Sequence, residues 1–268
     1  MFEQDNVDKC HEFKEKCKMA RFRHAFDEFF GGIKFKGVYS NRDEFTIIFE
    51  KNHSDIPIDN LSTGEKQIVF RGTYLLKNIN NMSGSVVLID EPELSMHPLW
   101  QQKILMYYRN LFTVAGEQKT QMFFATHSEY VIQQALEDKD NVLIIVLADD
   151  NGTIKAKNIT APIVLPTITS AEINYLAFGI ASTDFHIELY GYLQRKSCSK
   201  TIEKCDEYIK HQSCYDPAMH NKNFKDRSGQ SVETLPTYIR NAIDHPDSQR
   251  SYTQEELRRS IELLIKLC

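Results

Sequence analysis

With 268 residues, 41% of them hydrophobic and 26% charged, the chain has length for one large domain or two small ones around a buried core. Its 37 acidic residues outnumber 32 basic ones, for a net charge of −5. That excludes a protein that clamps nucleic acid by charge over its whole surface, and it leaves room for a local basic patch. The longest apolar run, VLIIVLA at 142–148, is strand-sized, so no membrane partner is expected.

The N-terminal stretch is charged and lacks the apolar core of a secretory signal. Over residues 8–30, Phe13, Cys17, Phe22, Phe26 and Phe30 recur at helical spacing, which predicts an amphipathic helix ending at Gly31-Gly32. IKFKGVY (33–39) and FTIIFE (45–50) alternate across a turn-like segment and predict a β-hairpin. Ser62 can cap a helix over about 64–78, with Glu65 as its capping-box partner. SVVLID (85–90) and QMFFAT (121–126) have the form of strands buried on both faces of a parallel sheet. Helices are expected from Pro98 to about Phe112 and over 129–137. The segment 141–159 predicts a second hairpin turning at Asp-Asn-Gly.

Strand and helix alternating in this way imply an α/β layered domain. From about residue 168 the pattern becomes helical throughout, and a boundary is expected near 167–169. Cys10 and Cys17, and Cys198 and Cys205, are each seven apart, roughly on one face of a helix. With Cys214 and Cys268 they read as unpaired thiols in a reducing cytoplasm, because the tight spacing of a zinc site is missing.

Four features then follow in order. In LSTGEKQ (61–67) a serine and glycine stand at a helix N-terminus, where free N–H groups and the dipole favour an anion. VVLIDEP (86–92) sets Asp90 and Glu91 at the C-terminal tip of a strand, where α/β proteins bind ligands, and strand alternation would send the two carboxylates apart. ELSMHP (93–98) is a loop before a proline-initiated helix. FFATHS (123–128) ends a second strand in Thr126 and His127.

This series resembles the signature, Walker B with D-loop, and H-loop of ABC-type ATPases. It is most similar to SMC-like and overcoming-lysogenization-defect-like AAA family ATPases of bacterial defence systems. The resemblance covers roughly residues 20–160. It implies an α/β fold that is the C-terminal half of an ABC-type P-loop NTPase head (1–167), followed by an all-α domain (168–268). It implies ATP and Mg²⁺ as cofactors, with Asp90 as the Mg²⁺-associated acid and Glu91 as general base. His127 would be the γ-phosphate switch. Ser62 and Gly64, with Glu65 beside them, would contact a nucleotide held by the opposing subunit, and Ser95 and His97 would lie in the D-loop. A homodimer or higher oligomer through ATP-sandwiched heads follows. The GxxxxGK[ST] Walker A loop of the family is absent from the sequence, so the expectation is an N-terminal Walker A half or a partner chain that supplies it.

In the tail, Arg240-Asn241-Ala242-Ile243-Asp244-His245 resembles the RNxxxH motif of HEPN domains, which include metal-independent ribonucleases. An arginine can stabilise developing phosphorane charge and a histidine can move a proton near neutral pH. The effector under ATPase control would be this tail acting on RNA, or a separate nuclease partner. Asp184, His186 and Glu188 do not share one helix face, and a surface role is expected of them. Two other functions stay open: a regulatory or scaffolding half without catalysis, and a DNA-repair ATPase, against which stand the acidic charge and the lack of a zinc-hook CxxC.

Overall fold

A computed structural model describes residues 17–41, 44–78, 83–138, 140–159, 162–225, 231–245 and 250–268, so the expectations for Phe13 and Cys10 lie outside the described residues. The chain forms two compact units, Met1–Lys139 and Asp140–Cys268. The division falls ahead of the second hairpin, whereas the sequence pattern set it near 167. The hairpin strands pair only with each other among the described residues and extend no sheet of the first unit.

In the first unit, α1 (Lys18–Phe29) leads into an antiparallel sheet of β1 (Ile33–Asn41), β2 (Glu44–Lys51) and β3 (Ser54–Pro57). The third strand was not expected from the pattern. Helix α2 (Thr63–Asn78) follows, then β4 (Ser85–Asp90), α3 (Pro98–Gln101), α4 (Ile104–Phe112), the short β5 (Thr113–Val114) and β6 (Glu117–Gln118), β7 (Thr120–Ala125) and α5 (Glu129–Glu137). The helical spacing that puts Phe22, Phe26 and Phe30 on one face buries them against Phe35 and Phe49 of the antiparallel sheet, and the Phe29 ring packs tilted against Tyr107 of α4. Tyr107 donates to the carbonyl of Ile68 at 2.8 Å. Its hydroxyl occupies the space a Cβ would need at Gly72, which is why a glycine stands inside α2.

The single helix expected over 98–112 is broken at Gln102-Lys103. The break frees the amide of Leu105, and the Gln134 side chain accepts from it at 3.0 Å. Strands β4 and β7 pair in parallel with Asp90 opposite Ala125. Burial on both faces does not hold for them. Val87 and Ile89 face the core, but Val86, Leu88 and Phe123 are 57%, 75% and 52% exposed. Alternation put one apolar face inward, and no element among the described residues covers the other.

The second unit begins with the hairpin β8 (Ile145–Asp150) and β9 (Thr153–Asn158), turning at Asn151 and Gly152, both of positive φ. Then come α6 (Ser170–Phe178), α7 (Thr183–Lys196), α8 (Ile202–Lys210), α9 (Pro217–His220), β10 (Asn221–Lys225), β11 (Ser231–Thr234), α10 (Leu235–Asp244) and α11 (Gln254–Leu267). The region expected to be all-α thus carries an added two-stranded ribbon, β10–β11. Phe185, Leu189 and Leu193 of α7 pack with Ile209, Ile239, Ile261 and Leu264 in its core. Asp206 accepts from the N–H of Glu233 (3.0 Å) and the hydroxyl of Thr234 (2.6 Å), and so anchors the cap of α10. Cys198 lies in the loop before α8 with φ +54, so it shares no helix face with Cys205.

His186 is not on the surface. It is fully buried, bonds Ser260 Oγ through Nε2 at 2.9 Å, and burial drives its pKa down to about 3. Asp184 is exposed, and Glu188 accepts from the Thr169 hydroxyl at 2.7 Å. Among the described residues no helix is long and apolar enough to cross a membrane.

Candidate functional site

Parallel pairing of β4 and β7 brings two motifs to one sheet end. The N–H of Glu91 donates to the carbonyl of Ala125 at 2.9 Å, so residues 90–91 and 126–127 leave the sheet side by side. Asp90 is exposed and Glu91 half-exposed. Strand alternation does not set their relative direction. The strand ends at Asp90, and Glu91 sits in the left-handed region at φ +43, a conformation that costs a non-glycine residue about 1 kcal/mol or more. The carbonyl of Glu91 accepts from Arg71 Nη1 at 2.9 Å and from the Leu94 N–H at 3.2 Å, which holds the turn.

Ser62 opens α2 as expected. Its N–H donates to Glu65 Oε2 at 2.7 Å, while the Glu65 N–H approaches Ser62 Oγ at 3.4 Å. Ser62 itself is exposed at the helix N-terminus. Glu65 departs from its expected place beside a ligand. It is 4% exposed, and its Oε1 takes a 2.8 Å ion pair from Lys51. Burial works to raise its pKa, but Lys51 and the Ser62 N–H outweigh that and hold it below the usual carboxylate value. Its carboxylate shapes the helix start and presents nothing outward. Gly64 is buried against the following loop: a Cβ there would lie 2.9 Å from the Ser95 carbonyl oxygen and 3.2 Å from the Trp100 ring. A side chain at this position would part α2 from residues 95–100.

Ser95 is exposed in a left-handed turn at φ +61, and His97 is the N-cap of α3, its Nδ1 accepting from the Leu99 N–H at 3.2 Å. His127 is exposed two residues beyond β7. Its backbone N–H donates to Glu93 Oε1 at 2.9 Å, and the Thr126 hydroxyl donates to the same oxygen at 2.7 Å. Gln101 makes a second strap, donating to the Met96 carbonyl at 3.0 Å and accepting from Ser128 Oγ at 2.6 Å. The pattern of residues singled out neither Glu93, Gln101 nor Arg71. Their partners are 33, 27 and 20 residues away, and only the extra carboxylate after Asp90-Glu91 hinted at one of them.

In the second unit, Arg240 lies in the last turns of α10, where it pairs with Asp244 Oδ2 at 2.6 Å and donates to Asn241 Oδ1 at 3.0 Å. His245 follows as the exposed C-cap. Among the described residues no cluster of His, Cys, Asp and Glu could hold a metal ion.

The donor types at the sheet end suit Mg²⁺ and a nucleotide phosphate: an exposed carboxylate at Asp90, a second carboxylate at Glu91, and the imidazole of His127. A glycine-rich phosphate cradle is missing from them.

This chain is similar to the "Septu protein PtuA" of Bacillus thuringiensis, 28% identical over 54% of the chain and 37% of that protein. It is also similar to the "Retron Vc95 probable ATPase" of Vibrio cholerae, 31% identical over 37% of the chain and 20% of that protein. The "Retron Ec83 probable ATPase" of Escherichia coli is 31% identical over 41% of the chain and 21% of its own length. The matched region thus spans well under half the length of each of these relatives. A solved SMC ATPase structure superposes with a TM-score of 0.41 at 14% identity, covering 58% of this chain and 89% of that one. Residues 15–133 match the family described as "AAA domain, putative AbiEii toxin, Type IV TA system".

Proposed function

We propose that the chain is the C-terminal half of an ABC-type ATPase head whose nucleotide state controls an effector in anti-phage defence. The observation that carries this reading is the 2.9 Å bond from the Glu91 N–H to the Ala125 carbonyl, which joins the carboxylate pair and the switch histidine at one sheet end. The match of residues 15–133 to the AAA-domain family and the similarity to Septu and retron proteins support it. The bare face of β4–β7 among the described residues supports completion by further strands, because parallel sheets are stable when both faces are covered. Those strands would come from an N-terminal segment or a partner chain bearing the Walker A loop.

Asp90 would hold Mg²⁺ through a water, and bound ATP–Mg²⁺ would supply the phosphoanhydride and its charge neutralisation. Glu91 accepts the proton of the attacking water, its carboxylate aimed by the left-handed turn at φ +43. His127 hydrogen-bonds the terminal phosphate from the neighbouring strand end. Ser62 and the amides at the start of α2 donate to a phosphate held by the opposing subunit of a dimer or higher assembly. Ser95 and His97 lie where two such sites would meet.

The test is ATP turnover by the chain alone and together with the polypeptide that carries its Walker A loop. Turnover is expected only in the mixture, and Glu91→Gln should abolish it while ATP-dependent association persists. Equal turnover in the Glu91→Gln mixture would remove Glu91 from the role of base.

A further inference from the structure

We infer that Glu93 is a positioning residue that couples the loop after the catalytic carboxylate to the switch histidine, an inference that rests on the ATPase reading above. One oxygen of Glu93, Oε1, accepts both the Thr126 hydroxyl at 2.7 Å and the His127 N–H at 2.9 Å. Thr126 in turn accepts from the Ser128 N–H at 3.1 Å, so the segment entering α5 is threaded onto that carboxylate. The other oxygen, Oε2, is buried and has no hydrogen-bond partner among the described residues. The side-chain hydrogen bonds of Glu93 among the described residues therefore go to the switch segment. Breaking them would leave Oε1 unpaired beside an Oε2 that already lacks a partner among the described residues, so the contact costs free energy to open.

Geometry gives the coupling a direction. Glu93 is two residues past Glu91, whose backbone is clamped by Arg71 and by Ala125. Gln101 straps the far end of the same loop, at Met96, to Ser128. A displacement of residues 91–97 is thus handed to residues 126–128 through two side chains at once, Glu93 reaching His127 and Gln101 reaching Ser128. The α2 N-terminus touches this loop through Gly64 and the Ser95 carbonyl, so the signature end of the site lies on the same chain of contacts.

The experiment has two readouts. In the full chain alone, amide hydrogen exchange at His127 is compared for wild type, Glu93→Gln and Glu93→Ala. Glutamine keeps an acceptor oxygen for Thr126 and His127, so protection should persist; alanine should speed exchange at least several-fold. Unchanged exchange in Glu93→Ala overturns the coupling. In the ATPase completed by its Walker A polypeptide, Glu93→Ala should lower kcat about 10–100-fold with KM for ATP little changed, and Glu93→Gln should recover most of the rate. Glu91-dependent turnover that is untouched by Glu93→Ala overturns the positioning role while sparing the ATPase reading. A complete lack of Glu91-dependent turnover overturns both. If Glu93→Ala does not fold, Thr126→Val removes one of the two bonds, and its exchange at His127 serves the same purpose.

Discussion

Arg71, from the middle of α2, donates through Nη1 to the backbone carbonyl of Glu91 at 2.9 Å. The bond links the helix that opens at Ser62 to the peptide that turns the second carboxylate out of β4. It acts on the backbone, so it sets where the carboxylate points without touching it. Arg71→Met should keep the fold, because Leu94 still donates to the same carbonyl. In the completed ATPase we expect turnover about 10–100-fold lower, the scale of an ångström's misplacement. Steady-state kinetics with circular dichroism as the fold control checks this, and a full rate would show that the turn holds unaided.

Gly64→Ala tests the contact between α2 and the loop before α3. The new methyl would press on the Ser95 carbonyl and the Trp100 ring, and a backbone oxygen cannot swing aside. A loss of about 1–3 kcal/mol is expected from such overpacking. Trp100 is the only tryptophan in the chain, so its emission should shift in the native variant and report the earlier unfolding midpoint.

His186 predicts acid sensitivity in the helical unit. The folded state holds its pKa at about 3, below the ordinary 6.5, because burial penalises the imidazolium. Between those values the unfolded chain binds a proton that the folded chain refuses. The stability tied to a neutral His186 is complete above pH 6.5 and falls as pH drops toward 3, with a slope approaching about 1.4 kcal/mol per pH unit. Amide exchange in α7 and α11 across this range should show that slope, and His186→Gln should flatten it by roughly one proton.

For the tail, the HEPN-like proposal predicts that Arg240→Ala combined with His245→Ala eliminates RNA cleavage and any associated toxicity. Both side chains lie outside the packed core, so the variant should stay folded. Arg240 is engaged by Asp244 and Asn241, so Asp244→Ala should raise cleavage by freeing the guanidinium. Cleavage that persists in the double variant would remove the assignment.

Local patterns carried much of the first unit. The aromatic spacing of α1, the Ser62–Glu65 box and the two apolar runs ending in Asp90 and Ala125 each depend on neighbours close in sequence. The strands and α2 stand where their patterns put them, while the helix expected over 8–30 starts at Lys18, after an extended Cys17. The losses came from distance. An apolar run cannot reveal whether both its faces are covered, and Val86 and Leu88 stand on an uncovered one. Helical spacing runs on through Gln102-Lys103 and gives no sign that Gln134 will satisfy a freed amide. A capping-box glutamate looks the same whether it faces solvent or, as Glu65 does, lies buried against a lysine. His186 was misjudged because three polar residues in TDFHIELY hid one inward-facing position. Arg71, Glu93 and Gln101 act through partners that only the paired strands bring near.

The bare side of the parallel strand pair ties the stability of this lobe to concentration. Covering Val86, Leu88 and Phe123 is worth on the order of 3–5 kcal/mol at the usual value for apolar burial. That is a sizeable share of the 5–15 kcal/mol that typically keeps a domain folded. By mass action, whatever occupies that side shifts the folding equilibrium in proportion to the logarithm of its amount. The melting temperature of the first unit should therefore climb as the covering polypeptide is titrated in, and a substitution inside the lobe that is harmless in the assembly can be damaging while the chain waits alone.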